Sequence, residues 1–288
     1  MVASLGGARF SVPRRHSCRR LALVLSSVSA LFAQDAREIV RKSVELDQSN
    51  WVRMKDYTWI ARETERSLDS RGNVKSEKTE TWETLVVYGE PHRRMLERDG
   101  NPLSAADQRK EQLKLDNAVA KLEHETAHQR DRRQAEYEKK REKDREFLRD
   151  VPDLFDFRLL GEDKIDGLDV WMISATPRPG AQPKHSDAKP LLKVQAKIWI
   201  DKAEYQWVRL EAETTATISF GLFIARLNPG AKLVFEQTRV NDEVWLPKRE
   251  IVRGAGRLGL VKKLAGEQEV TWNNYRKFQV DSKVVATQ

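Results

Sequence analysis

From Lys193 to Glu213 apolar and polar residues alternate in the period-two manner of a half-buried strand. Val194, Ala196, Ile198 and Ile200 interleave with Gln195, Lys197, Trp199 and Asp201. After Lys202-Ala203-Glu204 the alternation resumes, with Val208, Leu210 and Ala212 set against Trp207, Arg209 and Glu211. The pattern predicts an antiparallel hairpin, and similar segments flank it on both sides. Strands are expected at 57–68, 74–88 and 93–98, and again at 157–161 and 170–175. Further strands are expected at 211–220, 231–240, 244–253, 258–264 and 267–280. The clusters Asp69-Ser70-Arg71-Gly72-Asn73, Gly89-Glu90-Pro91, Asp99-Gly100-Asn101 and Asn228-Pro229-Gly230 read as turns. Pro177 to Pro190 reads as a loop. Gly254, Gly256, Gly259 and Gly266 are expected to mark kinks or turns. Short connections favour antiparallel meander pairing.

Two segments carry helical patterns. In 35–55, Asp35 is a plausible N-cap, and Ile39, Val40, Val44, Leu46 and Trp51 form a loose apolar stripe facing the sheet. In 104–149 there is no Gly and, after Ser104, no Pro. Ser104 and Asp107 suggest a capping box. Leu113, Leu115, Val119 and Leu122 offer packing. Beyond Ala127 the residues are nearly all charged until Phe147-Leu148. Charge runs are generally solvated, which predicts a rod or helical hairpin standing off the sheet, with a docking surface for an envelope protein as the other reading.

The N-terminus changes the accounting of charge. Arg9, Arg14, Arg15, Arg19 and Arg20 precede Leu21-Ala22-Leu23-Val24-Leu25, and small residues follow up to Ala33. This is the layout of a secretory signal peptide over 1–33, cut after Ala33, with an apolar run too short to span a bilayer as a helix. The 288 residues carry 52 basic and 44 acidic side chains, a net charge of +8. Removing the five leader arginines leaves 47 against 44, or +3, so nucleic-acid binding loses most of its electrostatic support. The single cysteine, Cys18, leaves with the leader, and the exported chain holds together without disulfides. All 8 tryptophans remain to help build its core.

The sharpest chemical motif is His124-Glu125-Thr126-Ala127-His128, which matches the H-E-x-x-H pattern of zinc hydrolases. That chemistry needs both histidines on one helical turn, beside a dry cleft and a third ligand. The charged neighbours and the lack of a third ligand off the same helix argue against it. No G-x-S-x-G, P-loop or dinucleotide fingerprint occurs, and His92 and His185 stand isolated in the sequence. Glu211 and Glu213 read as a solvated strand face. The least polar passage of the exported chain, Ile218 to Leu227, reads either as a buried strand or as an apolar lip at a cavity mouth.

Several short passages resemble the LolA/LolB-like periplasmic lipoprotein-carrier superfamily, over about residues 35–100 and 155–280. One is the amphipathic helix ending in Lys55-Asp56-Tyr57-Thr58 before two strands. Others are Gly167-Leu168-Asp169-Val170-Trp171, Lys197-Ile198-Trp199-Ile200-Asp201 leading to Trp207-Val208-Arg209-Leu210, and Val244-Trp245-Leu246-Pro247-Lys248-Arg249. The resemblance implies a mainly β fold: a curved, unclosed antiparallel β-barrel with a helical lid, to which 104–150 adds a long charged insertion. It implies a single domain over 34–288, a non-enzymatic periplasmic carrier, no cofactor, and lipid or an acylated lipoprotein as partner. A monomer is expected. On alternation, the cavity-facing residues are Trp59, Trp82, Val86, Ile198, Ile200, Val208, Leu210, Ile218, Phe220, Phe223 and Phe235. The alternatives are an envelope interaction protein that docks through helix 104–149, and a zinc hydrolase using His124, Glu125 and His128.

Overall fold

The computed structural model describes residues 22–220, 225–258 and 262–278. Helix α1 (Ala22–Met54) leads into four strands, β1 (Tyr57–Leu68), β2 (Val74–Val87), β3 (Glu90–Arg98) and the short β4 (Asn101–Pro102). Helices α2 (Ala105–Glu123), α3 (Ala127–Lys143) and α4 (Val151–Leu154) follow, with a 3₁₀ turn at Glu146–Asp150. The chain returns to the sheet with β5 (Phe155–Ile165), β6 (Leu168–Pro177), β7 (Val194–Asp201) and β8 (Trp207–Thr214). Next come β9 (Ile218–Phe220), β10 (Ala225–Leu227), β11 (Lys232–Val240), β12 (Val244–Leu258) and β13 (Lys262–Lys277).

All strands join one 13-stranded antiparallel sheet in the order β4-β3-β2-β1-β13-β12-β11-β8-β7-β6-β5, with β10 paired to β12 and β9. This is the expected meander, with its first and last strands adjacent: β1 pairs β13 along almost its whole length. The sheet is unclosed, with β4 and β5 as its edges and the helical segment connecting them. Turn chemistry is local. Asp69 Oδ1 accepts from the N–H groups of Arg71 and Asn73 at 2.8 and 2.9 Å, and Gly72 takes φ 84°, as the composition predicts.

One face of the sheet packs against the helices, and we call it the inner face. Ala36 and Val40 of α1, Leu154 of α4 and Ala188 of the 3₁₀ segment Ser186–Lys193 meet Phe155, Phe157, Ile173, Ala175 and Ile200. The alternation of β5–β7 produces this core, because each apolar set falls on one side. Leu46, expected on the α1 stripe, is 36% exposed. The two polar residues Asp47 and Asn50 take buried positions on α1 instead, each bonded to the sheet. Asn50 exchanges hydrogen bonds with the Trp245 backbone, and Asp47 accepts from Trp207 Nε1 at 3.1 Å.

The opposite, outer face holds one buried apolar cluster, Val170, Trp199, Val208 and Trp245, and is elsewhere laced by cross-strand ion pairs. Arg66 reaches Glu77, Glu267 and Glu269, Arg249 reaches Glu269, and Arg209 reaches Glu236. Glu211, read as simply solvated, pairs with Arg209.

Four expectations need correction. Helix α1 begins at Ala22 rather than at Asp35. The Pro-rich loop ends in the 3₁₀ segment rather than running irregularly to Pro190. The segment 211–220 is split, with β8 ending at Thr214 and β9 starting at Ile218. Gly254 and Gly256 lie inside the continuous β12 rather than at kinks. A Cβ at Gly256 would come within 2.1 Å of the Arg226 carbonyl oxygen, and one at Gly254 within 2.7 Å of Ala231 Cβ. The glycines therefore permit close approach of β10, its antiparallel partner, and of the β10–β11 connection to β12.

Candidate functional site

Directly opposed residues of antiparallel strands project to the same face, so register alone traces rows across the sheet. One inner row runs Leu159–Ile173–Ile198–Leu210–Phe235, through five adjacent strands, β5, β6, β7, β8 and β11. It continues Glu250–Val270–Glu63–Glu80 across β12, β13, β1 and β2. The row changes character at Glu250: apolar toward α1, acidic toward the β2–β3 side. At that junction the neighbouring aromatic rings lean together. Trp207 and Phe235 have ring centroids 5.0 Å apart, and Phe235 and Trp272 are 6.4 Å apart. All three are only partly buried. Trp272 is opposite Ala61, and Ala61 opposite Trp82, which extends the aromatic strip across β13, β1 and β2.

The acids of this row are treated differently by their surroundings. Glu63 is held by Arg93 at 2.5 Å, and Glu80 by Lys78 at 2.6 Å. Arg93 also stacks over Trp82, its guanidinium 4.5 Å from the ring centre. Glu250 has no cation and no hydrogen-bond donor among the described residues, and burial alone pushes its carboxyl above the usual range. The indole Nε1 of Trp82 is likewise buried without an acceptor among the described residues.

The residues chosen from alternation divide into groups. Ile198, Leu210 and Phe235 lie together in the inner row, with Trp82 on the same face. Ile200 is on that face but is 1% exposed and closed under the helices. Trp59 packs with Tyr57, Val244 and Leu246 in a separate cluster, and Val86 is buried opposite Pro91. Val208 departs from the group. Ile200 pairs with Trp207 and Trp199 with Arg209, so Val208 is the extra residue of a bulge, packed on Trp199, Val170 and Trp245. Trp207, read as outward-facing, takes the inner place instead. Ile218 is buried, Phe220 is described by its backbone pairing with Ala225, and Phe223 lies outside the described residues. Trp272 and Glu250 were not anticipated. Glu250 follows Lys248-Arg249 within the strand expected at 244–253, and nothing in the sequence marks it as inward-facing until the register is known.

The charged helices are docked rather than standing off. Leu115 of α2 is buried, and the neighbouring Glu111 accepts from the Met95 backbone N–H of β3 at 3.2 Å. Arg133 of α3 bonds Glu90 at 2.6 Å and Glu125 at 3.0 Å. Arg141 and Arg145 stack over Trp51 of α1, at 4.7 and 4.3 Å from its ring centre. Arg145 also pairs with Asp47. Burial lowers the Arg145 guanidinium to about 10, still far above neutrality, so Arg145 is charged at pH 7.

The H-E-x-x-H motif sits where α2 ends and α3 begins. His124 caps the C-terminus of α2, and Thr126 caps α3 through a reciprocal capping box with Gln129. The two histidines therefore do not share a helical turn, and Glu125 is occupied by Arg133. No group of His, Cys, Asp or Glu suited to a metal occurs among the described residues. His185 is not isolated. Its Nδ1 lies 2.8 Å from Asp150 and its Nε2 3.2 Å from Glu146, tying the β6–β7 connection to the helical segment.

Clefts elsewhere are walled largely by polar side chains. One of about 460 Å³ lies between β3 and α2 beside Arg94, Gln108 and Arg109. Another of about 430 Å³ lies on β6–β8 and β11 beside Lys197, Glu211, Glu213 and Lys232. A third, of about 310 Å³, lies between α1 and the β11–β12 turn.

These features define a mainly β protein with a large open antiparallel sheet, covered on half of one face by helices. No family model matches the chain. No curated protein matches it either. Solved structures similar to it include an outer-membrane lipoprotein-sorting protein domain from Vibrio parahaemolyticus, at 13% identity and a TM-score of 0.35, covering 85% of this chain and 95% of that one. A LolA superfamily protein from Nitrosomonas europaea matches at 10% identity and a TM-score of 0.32, covering 88% and 97%. A DUF1329 family protein from Desulfovibrio piger matches at 12% identity and a TM-score of 0.32, covering 88% and 95%. The superfamily that the sequence resembles is thus represented among the structural neighbours.

Proposed function

We propose that this chain is an exported, non-catalytic binding protein that holds an apolar chain, such as the acyl chain of a lipid or lipoprotein, against the inner face of its sheet. In this reading residues 1–33 are a leader and 34–288 form one carrier domain. The observation that carries it is the Trp207–Phe235–Trp272 strip, three large side chains left partly exposed on the inner face next to the filled core. Exposed contiguous aromatic surface is unfavourable in water and marks sites that a ligand covers. The test is native mass spectrometry of the protein secreted from cells and purified without detergent. A bound mass of lipid size, lost on organic extraction and in a Phe235→Ser variant, is expected. A bare polypeptide that also fails to take up added single-chain lipid overturns the reading.

A second reading, docking of an envelope protein through α2 and α3, has one observation in its favour. Leu113 of α2 is 59% exposed, on a helix whose opposite side is already engaged by β3. Loss of a cross-linked envelope partner in a Leu113→Glu variant is the corresponding test.

A further inference from the structure

Within the carrier reading, the inner row carries information about the ligand's polar end. Across β12, β13, β1 and β2 it places the acids Glu250, Glu63 and Glu80. Two of them have their own cations, Arg93 for Glu63 and Lys78 for Glu80. Glu250 has none among the described residues, although it lies directly between Phe235 and Val270 and diagonal to Trp272. A carboxylate in partly apolar surroundings is costly unless a cation or donor meets it. Aromatic faces around such a group favour a cation of low hydration, since their quadrupoles attract positive charge. Phe235 and Trp272 provide those faces, and Leu210 and Trp207 continue the apolar surface away from the carboxylate on the β8 side.

We infer that the Glu250 junction is the head-group site of a cationic amphiphile. An alkylammonium head would sit against the Glu250 carboxylate between Phe235 and Trp272, with its alkyl chain along Leu210 and Trp207. This rests on the carrier reading and adds charge selection to it. The raised proton affinity of the unliganded carboxyl accords with a group that lacks its counter-ion.

The experiment is calorimetric titration of the purified protein at neutral pH with three probes of equal chain length, each below its micelle concentration. They are dodecyltrimethylammonium, dodecanoate and the uncharged dodecyl maltoside. Circular dichroism checks that the fold persists. Dodecyltrimethylammonium is expected to bind at least about tenfold more tightly than dodecanoate. Glu250→Gln is expected to bring the two within about threefold of each other, with little change for the maltoside. Glu65→Gln, which removes an exposed acid of the same face, is expected to leave the preference intact. A preference that survives Glu250→Gln, or that Glu65→Gln abolishes equally, assigns it to general negative charge and overturns the inference. Equal binding of all three probes overturns charge selection while the carrier reading stands. Binding of none overturns both.

Discussion

At the residue scale, two buried charges are handled in opposite ways. Glu250 has a carboxyl raised by burial and no partner among the described residues. Its contribution to stability is present below the unfolded pKa and is lost as pH rises through the folded one. Glu250→Gln should therefore stabilise the ligand-free protein at pH 7, and hardly at all near pH 4, in paired urea titrations. Arg145 is the converse case, a buried cation seated on Asp47 and Trp51. Arg145→Met keeps most of the volume but leaves Asp47 buried without its cation. A loss of about 3 kcal/mol is expected in urea denaturation. Neither position stands out in the sequence. Glu250 follows two basic residues, and Arg145 is one of many charges in 130–146. Their roles come from contacts across the sheet or between helices, which periodicity does not encode.

At the element scale, the strands and the helical character of the insertion were legible, with Ser104 capping α2 as expected, and the position of the break inside the insertion was not. The hairpin of β7 and β8 starts and ends close to where its alternation does, because one solvated face and one covered face give a clean period of two. The insertion lacks Gly and internal Pro, so the usual punctuation for a helix break is missing. Yet the break is written at Thr126 and Gln129, in the S/T-x-x-Q spacing of a capping box, overlooked beside the more conspicuous H-E-x-x-H pattern. Thr126→Ala should cost about 1 kcal/mol by unwinding the first turn of α3. His124→Ala and His128→Ala should leave both stability and zinc content unchanged, the latter measured by elemental analysis. The tie between Asp150 and His185 acts between elements too. Burial alone would raise the Asp150 carboxyl, but the backbone and ring of His185 outweigh it and hold the carboxyl below its ordinary value. That contribution is present above the unfolded pKa of Asp150 and fades as pH falls through the folded one. His185→Ala should lower the melting temperature at pH 7, with the difference shrinking in acid.

At the scale of the whole molecule, the fold depends on its longest-range pairing. β1 and β13 bring Tyr57 opposite Lys277, and Ser67 opposite Gly266, joining the two halves of the sheet across most of the chain. Alternation predicts each of these strands but not that they are neighbours, since register and order are set by which faces find cover rather than by local pattern. At Gly266 the approach is so close that a Cβ would lie 2.8 Å from the Arg66 carbonyl oxygen. Without β13, β1 and β12 would each present an unpaired edge, and the inner row would be cut between Glu250 and Glu63. A chain ending at Leu258 should therefore fail to fold as a unit rather than lose one strand. Its near-ultraviolet circular dichroism should collapse, and protection from hydrogen exchange should fall on β1 and β12 together. If instead the β5–β8 half kept native protection after this truncation, the core under α1 would be an independent folding unit. Pairing of β1 with β13 would then serve to assemble the Glu250 junction rather than to hold up the fold. The same measurement on the intact protein with Gly266→Val separates the cases, because that change crowds the Arg66 carbonyl and spares every residue of the α1 core.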